Sequence, residues 1–144
     1  MIESDTIKLL RECDAGTKMG ISSISEVIDR VSSEDFKNIL IESKAKHEEL
    51  ETEIQKELVK FNDDGKDPAL MAKSMSWLKT NVMIGINDSD KTIADLLTDG
   101  CNMGVKSLNE YLNEYKAAEE FSKDIAKKLI NLEERLAVDI RDYL

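Results

Sequence analysis

An all-α fold follows from three features of the sequence. One Pro, six Gly and many Leu, Ile, Lys and Glu among 144 residues favour helix over sheet. Apolar residues recur in steps of three and four through four long stretches, which is the spacing of one helical face. Two stretches are also near copies of each other: GTKMGISSISEVI from Gly16 to Ile28 and GCNMGVKSLNEYL from Gly100 to Leu112.

The first helix is expected over residues 4–31, capped by Ser4 or Asp5 and striped by Ile7, Leu10, Cys13, Gly16, Gly20 and Ile24. Ser32-Ser33-Glu34-Asp35 breaks that stripe and offers a new cap. A second helix over 34–61 then presents Phe36, Leu40, Ser43, His47, Leu50, Ile54 and Leu58. The two form an antiparallel hairpin whose arms are about 40 Å long at 1.5 Å per residue. Asn62 to Pro68 is rich in turn residues and ends the second helix. Residues 62–88 are expected to cross over to the second half, with a short helix at about 68–86 that starts behind Pro68. Asn87-Asp88-Ser89-Asp90 caps a third helix over 89–116, and a fourth follows over 117–143, striped by Ile125, Leu129, Leu132, Leu136, Ile140 and Leu144.

An offset of 84 carries residues 16–28 onto 100–112 without a gap, so the third helix repeats the first. An offset of 86 carries Ser43–Leu58 onto Leu129–Leu144, where Glu48, Leu50, Ile54 and Leu58 recur as Glu134, Leu136, Ile140 and Leu144. The chain thus reads as one domain, residues 1–144: a four-helix bundle of two hairpins related by a pseudo-twofold and joined by a long, partly helical crossover.

Charge and composition exclude several classes of function. A net charge of -10 leaves no basic face to neutralise phosphates, which argues against nucleic acid and anionic membrane as partners. No apolar run reaches the 18 or so residues of a spanning helix, and Glu3, Asp5 and Lys8 stand where a signal peptide would be apolar. A cytoplasmic location is expected. Cys13 and Cys101 form no C-x-x-C pair and read as small core residues. With one histidine in the chain, no phosphate-binding glycine loop and no nucleophile motif, no catalytic residue is identified.

Gly16 and Gly20, like Gly100 and Gly104, are four apart and share a helix face. A mid-helix glycine costs about 1 kcal/mol against alanine, so the pairs need a reason. Close helix packing is the simpler one; a gap that admits a ligand, water or ion is the other. His47 on an apolar stripe reads as a hydrogen-bonded core histidine, with Glu133 or Thr17 as its partner. The acidic residues Glu48, Glu49, Glu51 and Glu53 read as a solvated face. Met71, Met75, Trp77 and Met83 in the crossover read as a lid on the bundle, or as an adaptable binding surface.

Two repeated hairpins with a long crossover resemble the ferritin-like superfamily, in particular its small rubrerythrin-like bacterial members. In metal-binding members of that superfamily, each hairpin supplies a Glu from its first helix and a Glu-x-x-His from its second. The corresponding positions here are degenerate. The second helix reads Lys44-x-x-His47, the fourth Ile130-x-x-Glu133, and Thr17 and Cys101 replace the first-helix carboxylates. Of six ligands the resemblance implies, His47 alone keeps its type, with Glu133 as a substitute. An oxygen-activating di-iron centre needs several carboxylates to offset its charge. The expectation is therefore a non-catalytic bundle without a cofactor, acting through contacts with a protein partner or with itself as a homodimer. The alternative is a metal-binding protein holding Fe, Mn or Zn at His47 and Glu133, with Cys13 and Cys101 as further zinc ligand types.

Overall fold

The structure is a computed structural model that describes residues 2–63 and 89–144. Within these, four long helices form: α1 (Ile2–Val27), α2 (Glu34–Lys60), α3 (Asp90–Glu114) and α4 (Glu120–Asp139). No strand occurs among the described residues, so the chain is all-helical there. The expected crossover helix, with Met71, Met75, Trp77 and Met83, lies outside the described residues.

Hydrogen bonds between helix ends fix the directions of the four helices. Asp90 at the start of α3 accepts from the backbone N–H groups of Ser32 and Ser33, at 2.8 and 3.0 Å, in the turn between α1 and α2. At the other end, Asp5 and Thr6 near the start of α1 accept from the N–H groups of Ala117 and Glu119, at 3.1 and 2.9 Å, in the turn between α3 and α4. Asp63 behind α2 meets Arg11 near that same end, with both carboxylate oxygens facing the guanidinium. Helices α1 and α4 therefore run one way, and α2 and α3 the other. The ends to be joined, Asp63 and Ser89, lie at opposite ends of the helices.

Local chemistry explains where each helix starts and stops. Ser33 and Ser89 are N-caps whose side chains accept from Phe36 and Thr92 N–H. Helix α2 ends with Asn62 at φ 57°, a left-handed position that asparagine tolerates. Asp63 N–H then reaches Leu58 O and Asn62 N–H reaches Val59 O, both at 3.0 Å, which satisfies two end carbonyls. Two boundaries differ from the periodicity. Helix α1 gives way after Val27 to a 3₁₀ turn, Ile28–Arg30, rather than running to 31. Helix α4 spans Glu120–Asp139 and not 117–143: at its start, Ala117 and Glu119 N–H are held by α1, and past its end a 3₁₀ turn, Arg141–Tyr143, stacks Tyr143 on Phe36 at 4.5 Å. Leu144, expected on the apolar stripe, is half-exposed beyond that turn.

The interior is divided. One apolar cluster, at the end holding the α1–α2 turn, includes Ile24, Phe36, Leu40, Leu97 and Leu136. A second, at the opposite end, includes Leu10, Ile54, Leu108, Ile125 and Leu129. Between them each helix contributes a polar residue or glycine: Thr17 and Gly20 from α1, Ser43 and His47 from α2, Gly104 from α3 and Glu133 from α4. Helix α1 packs against all three others and α4 likewise, so α1 and α4 form the short diagonal and α2 and α3 the long one.

Removing one clamp isolates its contribution. Asp90→Ala strands two backbone N–H groups in the α1–α2 turn and is expected to lower stability by about 1–2 kcal/mol. Urea unfolding of Asp90→Ala beside Asp90→Asn measures it; the asparagine variant, which keeps one acceptor oxygen, should lose less.

Candidate functional site

The buried layer between the two apolar clusters holds the densest polar chemistry of the described residues. Spacing puts it there. His47 and Ser43 are four apart on the inner face of α2, and Glu133 takes the inner position on α4 between Ile130 and Leu136.

His47 is fully buried and both ring nitrogens are occupied. Nδ1 lies 2.7 Å from the backbone carbonyl of Ser43, and Nε2 lies 2.8 Å from Glu133 Oε1. A carbonyl oxygen only accepts, so Nδ1 must carry a hydrogen and donate it. The Nε2 to Oε1 contact then also needs a proton, which makes the pair an imidazolium facing a carboxylate or an imidazole facing a carboxylic acid. Burial alone would lower the pKa of His47. The Glu133 hydrogen bond and charge, with the Ser43 carbonyl, outweigh it and hold the imidazole above its ordinary value of 6.5. The raised value favours the ion-pair form over the neutral one.

Cys101 joins Glu133 from α3. Burial pushes its thiol up strongly, and the neighbouring Glu133 carboxylate, to which it is hydrogen-bonded, pushes further. Cys13 is in the other apolar cluster, its thiol pushed up to about 12 by burial and by Glu12 and Asp14. The proposed zinc set is therefore corrected: His47, Glu133 and Cys101 come together, but Cys13 does not join them. Both cysteines are free and protonated, as core thiols are.

The four repeated glycines have different surroundings. A Cβ on Gly20 would stand 2.7 Å from His47 Cδ2 and 2.8 Å from Nε2, so the missing side chain is what gives the imidazole its place. A Cβ on Gly16 would meet Leu129 at 3.0 Å, and one on Gly104 would lie 3.8 Å from Glu133. Gly100 is a correction to the close-packing expectation: it is exposed, and no described residue lies within 4 Å of where its Cβ would be. The physical reason lies on the opposing helix. Leu129 fills the space at Gly16, while the position 86 earlier is Ser43, too short to reach across the long diagonal.

One turn along from His47 is a second polar group that sequence reasoning missed. Asp14 is fully buried on α1 and faces Glu51 on α2. Gln55 donates to both, at 2.6 Å to Asp14 Oδ1 and 3.2 Å to Glu51 Oε1. Lys18 donates to Asp14 Oδ2 at 2.8 Å, and Thr17 contacts Glu51 Oε2. Of the two partners offered to His47, Glu133 takes it and Thr17 turns to Glu51. The signal for Glu51 was its place four residues after His47, on the same face. It was hidden by the surrounding acidic run, of which Glu48 and Glu49 are indeed exposed.

The residues do not fit the dinuclear centre that the resemblance implies. Both nitrogens of His47 are committed within the chain, and its Nε2 is capped by the one carboxylate that substitutes for a ligand. Among the described residues, no three His, Cys, Asp or Glu side chains are placed to hold a metal ion.

Comparison of the chain with protein-family models, with curated proteins and with solved structures finds no match. Among the described residues, no helix is long and apolar enough to cross a membrane.

Two outcomes follow from this geometry. Gly20→Ala should destabilise, because a locked imidazole must move and the overpacking cost of about 1–3 kcal/mol exceeds the helix propensity gained. Gly100→Ala should stabilise by about 0.5–1 kcal/mol, since it gains propensity without a clash. Thermal unfolding of the pair reads the contrast, and equal effects would reject the packing assigned to Gly20. For His47, nitrogen NMR at pH 6, below the ordinary imidazole value, should show both ring nitrogens protonated; a bare Nε2 there would be incompatible with the ion pair. Because the folded pKa is raised, this pair's stabilisation is complete below pH 6.5 and is lost as pH rises through the folded value.

Proposed function

We propose that this chain is a non-catalytic helical bundle with the ferritin-like arrangement, working inside the cell through contacts of its outer faces with another protein or a second copy of itself. The observation that carries this reading is the closure of the bundle centre. His47 spends its two nitrogens on Ser43 and Glu133, which leaves no lone pair for a metal or a substrate. A general base or ligand needs one of those positions open.

Three further facts support the arrangement. The helix directions follow the order expected of two hairpins joined by a crossover that returns along the bundle. The end clamps are reciprocal and respect the sequence repeat: Thr6 with Glu119 in one half corresponds, at offsets of 84 and 86, to Asp90 with Ser33 in the other. His47 and Glu133, themselves 86 apart, touch each other, which is what residues on a pseudo-twofold axis do. Two free buried thiols suit a reducing compartment. Fold alone carries no activity, so the functional weight falls on the closed centre and the surface. On that surface an open groove of about 1050 Å³ lies between α2 and α4. It is floored by Leu50 and Leu132 and rimmed by Lys46, Glu53, Lys128 and Arg135.

The test is elemental analysis of the untagged protein before and after incubation with Fe(II), Mn(II) and Zn(II), beside His47→Ala. The expected result is less than stoichiometric metal in both. Stoichiometric metal in the wild type that vanishes in His47→Ala would replace this reading with a metal protein built on His47 and Glu133.

A further inference from the structure

Two hairpins that are near copies of each other face a problem of pairing: an α1–α2 hairpin can meet α3–α4, or the α1–α2 hairpin of another chain. Most contacts between the hairpins do not tell these apart. Thr6 accepts from Glu119 N–H at 2.9 Å and Asp90 from Ser33 N–H at 3.0 Å. At offsets of 84 and 86 these are equivalent bonds, so Thr6 set opposite Ser33 N–H would be served as well. Leu50 and Ile54 recur as Leu136 and Ile140, so the apolar stripes are interchangeable too. Lys128 meets Glu53 across the hairpins at 3.2 Å, but the two side chains are 58% and 44% exposed, and such pairs contribute little.

The contact between His47 and Glu133 is different. Its members are counterparts, 86 apart, yet of opposite chemical type, and both are buried. Because Nδ1 donates to the Ser43 carbonyl, only Nε2 faces across the interface. One proton between Nε2 and Oε1 satisfies both atoms, and the pair has no net charge whichever atom holds it. Two α1–α2 hairpins would set Nε2 against Nε2: without a proton two lone pairs oppose each other, and with one the interior carries an uncompensated positive charge. Two α3–α4 hairpins would set carboxyl against carboxyl, where one shared proton leaves a negative charge. Either charge is costly away from water. A self-paired α1–α2 hairpin would also bring Ser43 to the place where Leu129 fills the space at Gly16, which leaves a void but no charge.

We propose that His47 and Glu133 are the specificity determinants of hairpin pairing: they make the inner face of α1–α2 fit an α3–α4 hairpin and reject the α1–α2 hairpin of a second copy. The inference rests on the paired-hairpin arrangement proposed above and adds to it the rule by which the hairpins choose each other. A single buried polar contact acts here as it does in coiled coils, where it decides partners that the apolar positions leave undecided.

The surroundings allow the two groups to be exchanged. Gly20 leaves the imidazole its place beside α1, and Gly104, its counterpart, would hold a Cβ no nearer than 3.8 Å to Glu133. The Ser43 carbonyl lies four residues before His47, and the Leu129 carbonyl four before Glu133, so an imidazole on α4 also finds an acceptor for Nδ1. The hairpins can also pair between chains. Residues 64–88, which join them, can reach about 80 Å when extended, twice the length of a helix of this bundle.

The experiment uses two full-length variants, His47→Glu and Glu133→His, refolded separately and together at pH 7 with a chelator present. The first carries carboxyls at both positions and the second imidazoles at both, so neither can match its own hairpins. Exchange of hairpins between the two, as in domain swapping, matches both pairs at once. Each variant alone should melt at least about 10 °C below wild type. The mixture, with one chain isotope-labelled, should give a 1:1 mixed dimer in native mass spectrometry that melts within a few degrees of wild type. Either variant melting with wild type overturns the proposal. So does a mixture without mixed dimers, or one in which they are no more abundant than dimers of one variant or no more stable than the variants alone. If neither variant folds alone, the mixture still decides, since matched pairs exist only in the exchanged dimer. The chelator keeps metal out of the outcome, so failure here leaves the closed centre to be judged by the elemental analysis above.

Discussion

Setting His47 against Glu133 at 2.8 Å in an interior closed to water requires α2 and α4 to keep one register, because either group left alone there is destabilising by about 3–5 kcal/mol. Apolar layers tolerate sliding and repacking far better than a two-atom contact does. The rest of the described structure can be understood as what keeps that contact in place. Ser43 orients the ring from below through its backbone carbonyl, and Gly20 leaves the ring a place on α1. Cys101 brings the third helix to the same carboxylate. The apolar clusters on either side exclude water without needing to touch each other.

The ends of the bundle serve the same register. Each hairpin turn leaves backbone N–H groups without helical partners, and each is satisfied by the first turn of a helix from the other hairpin. Neither hairpin can shift along the other without breaking bonds at both ends. Such exchange also explains the displaced helix boundaries: Ala117 and Glu119 have helix-forming side chains, but their N–H groups are claimed by α1, so α4 begins later than the apolar pattern alone implies.

Much of this was legible in the sequence where burial imposes a period. The stripes of α1 and α2 gave helix identity, and Ser33 and Ser89 gave starting points, because capping is local chemistry. His47 on an apolar stripe announced a buried polar contact, and only a few residues elsewhere in the chain could answer it. Two kinds of information were not legible. One is the difference between repeated positions: Gly16 and Gly100 hold the same place in the repeat, but what faces each belongs to another helix, Leu129 in one case and no described residue in the other. The other is the burial of Glu51. In a run of Glu48, Glu49, Glu51 and Glu53, composition indicates solvent, and only the packing angle of α2 against α1 turns one of the four inward.

Thr17 is the residue through which the two halves of the polar layer differ from the pattern the resemblance implies. A carboxylate at position 17 would add a third negative charge beside Asp14 and Glu51, next to the Lys18 ammonium bonded to Asp14. A hydroxyl at the same place can donate or accept and adds no charge. One turn away the same substitution of partners recurs: Glu133 faces His47, and a proton occupies the line between an imidazole and a carboxylate. There a proton does what a cation would otherwise have to do, neutralising buried acceptors contributed by α2 and α4. Protons exchange with solvent conditions in a way that a bound metal does not. The His47–Glu133 contact thereby ties the cohesion of α2 and α4 to pH, toward loosening as pH rises.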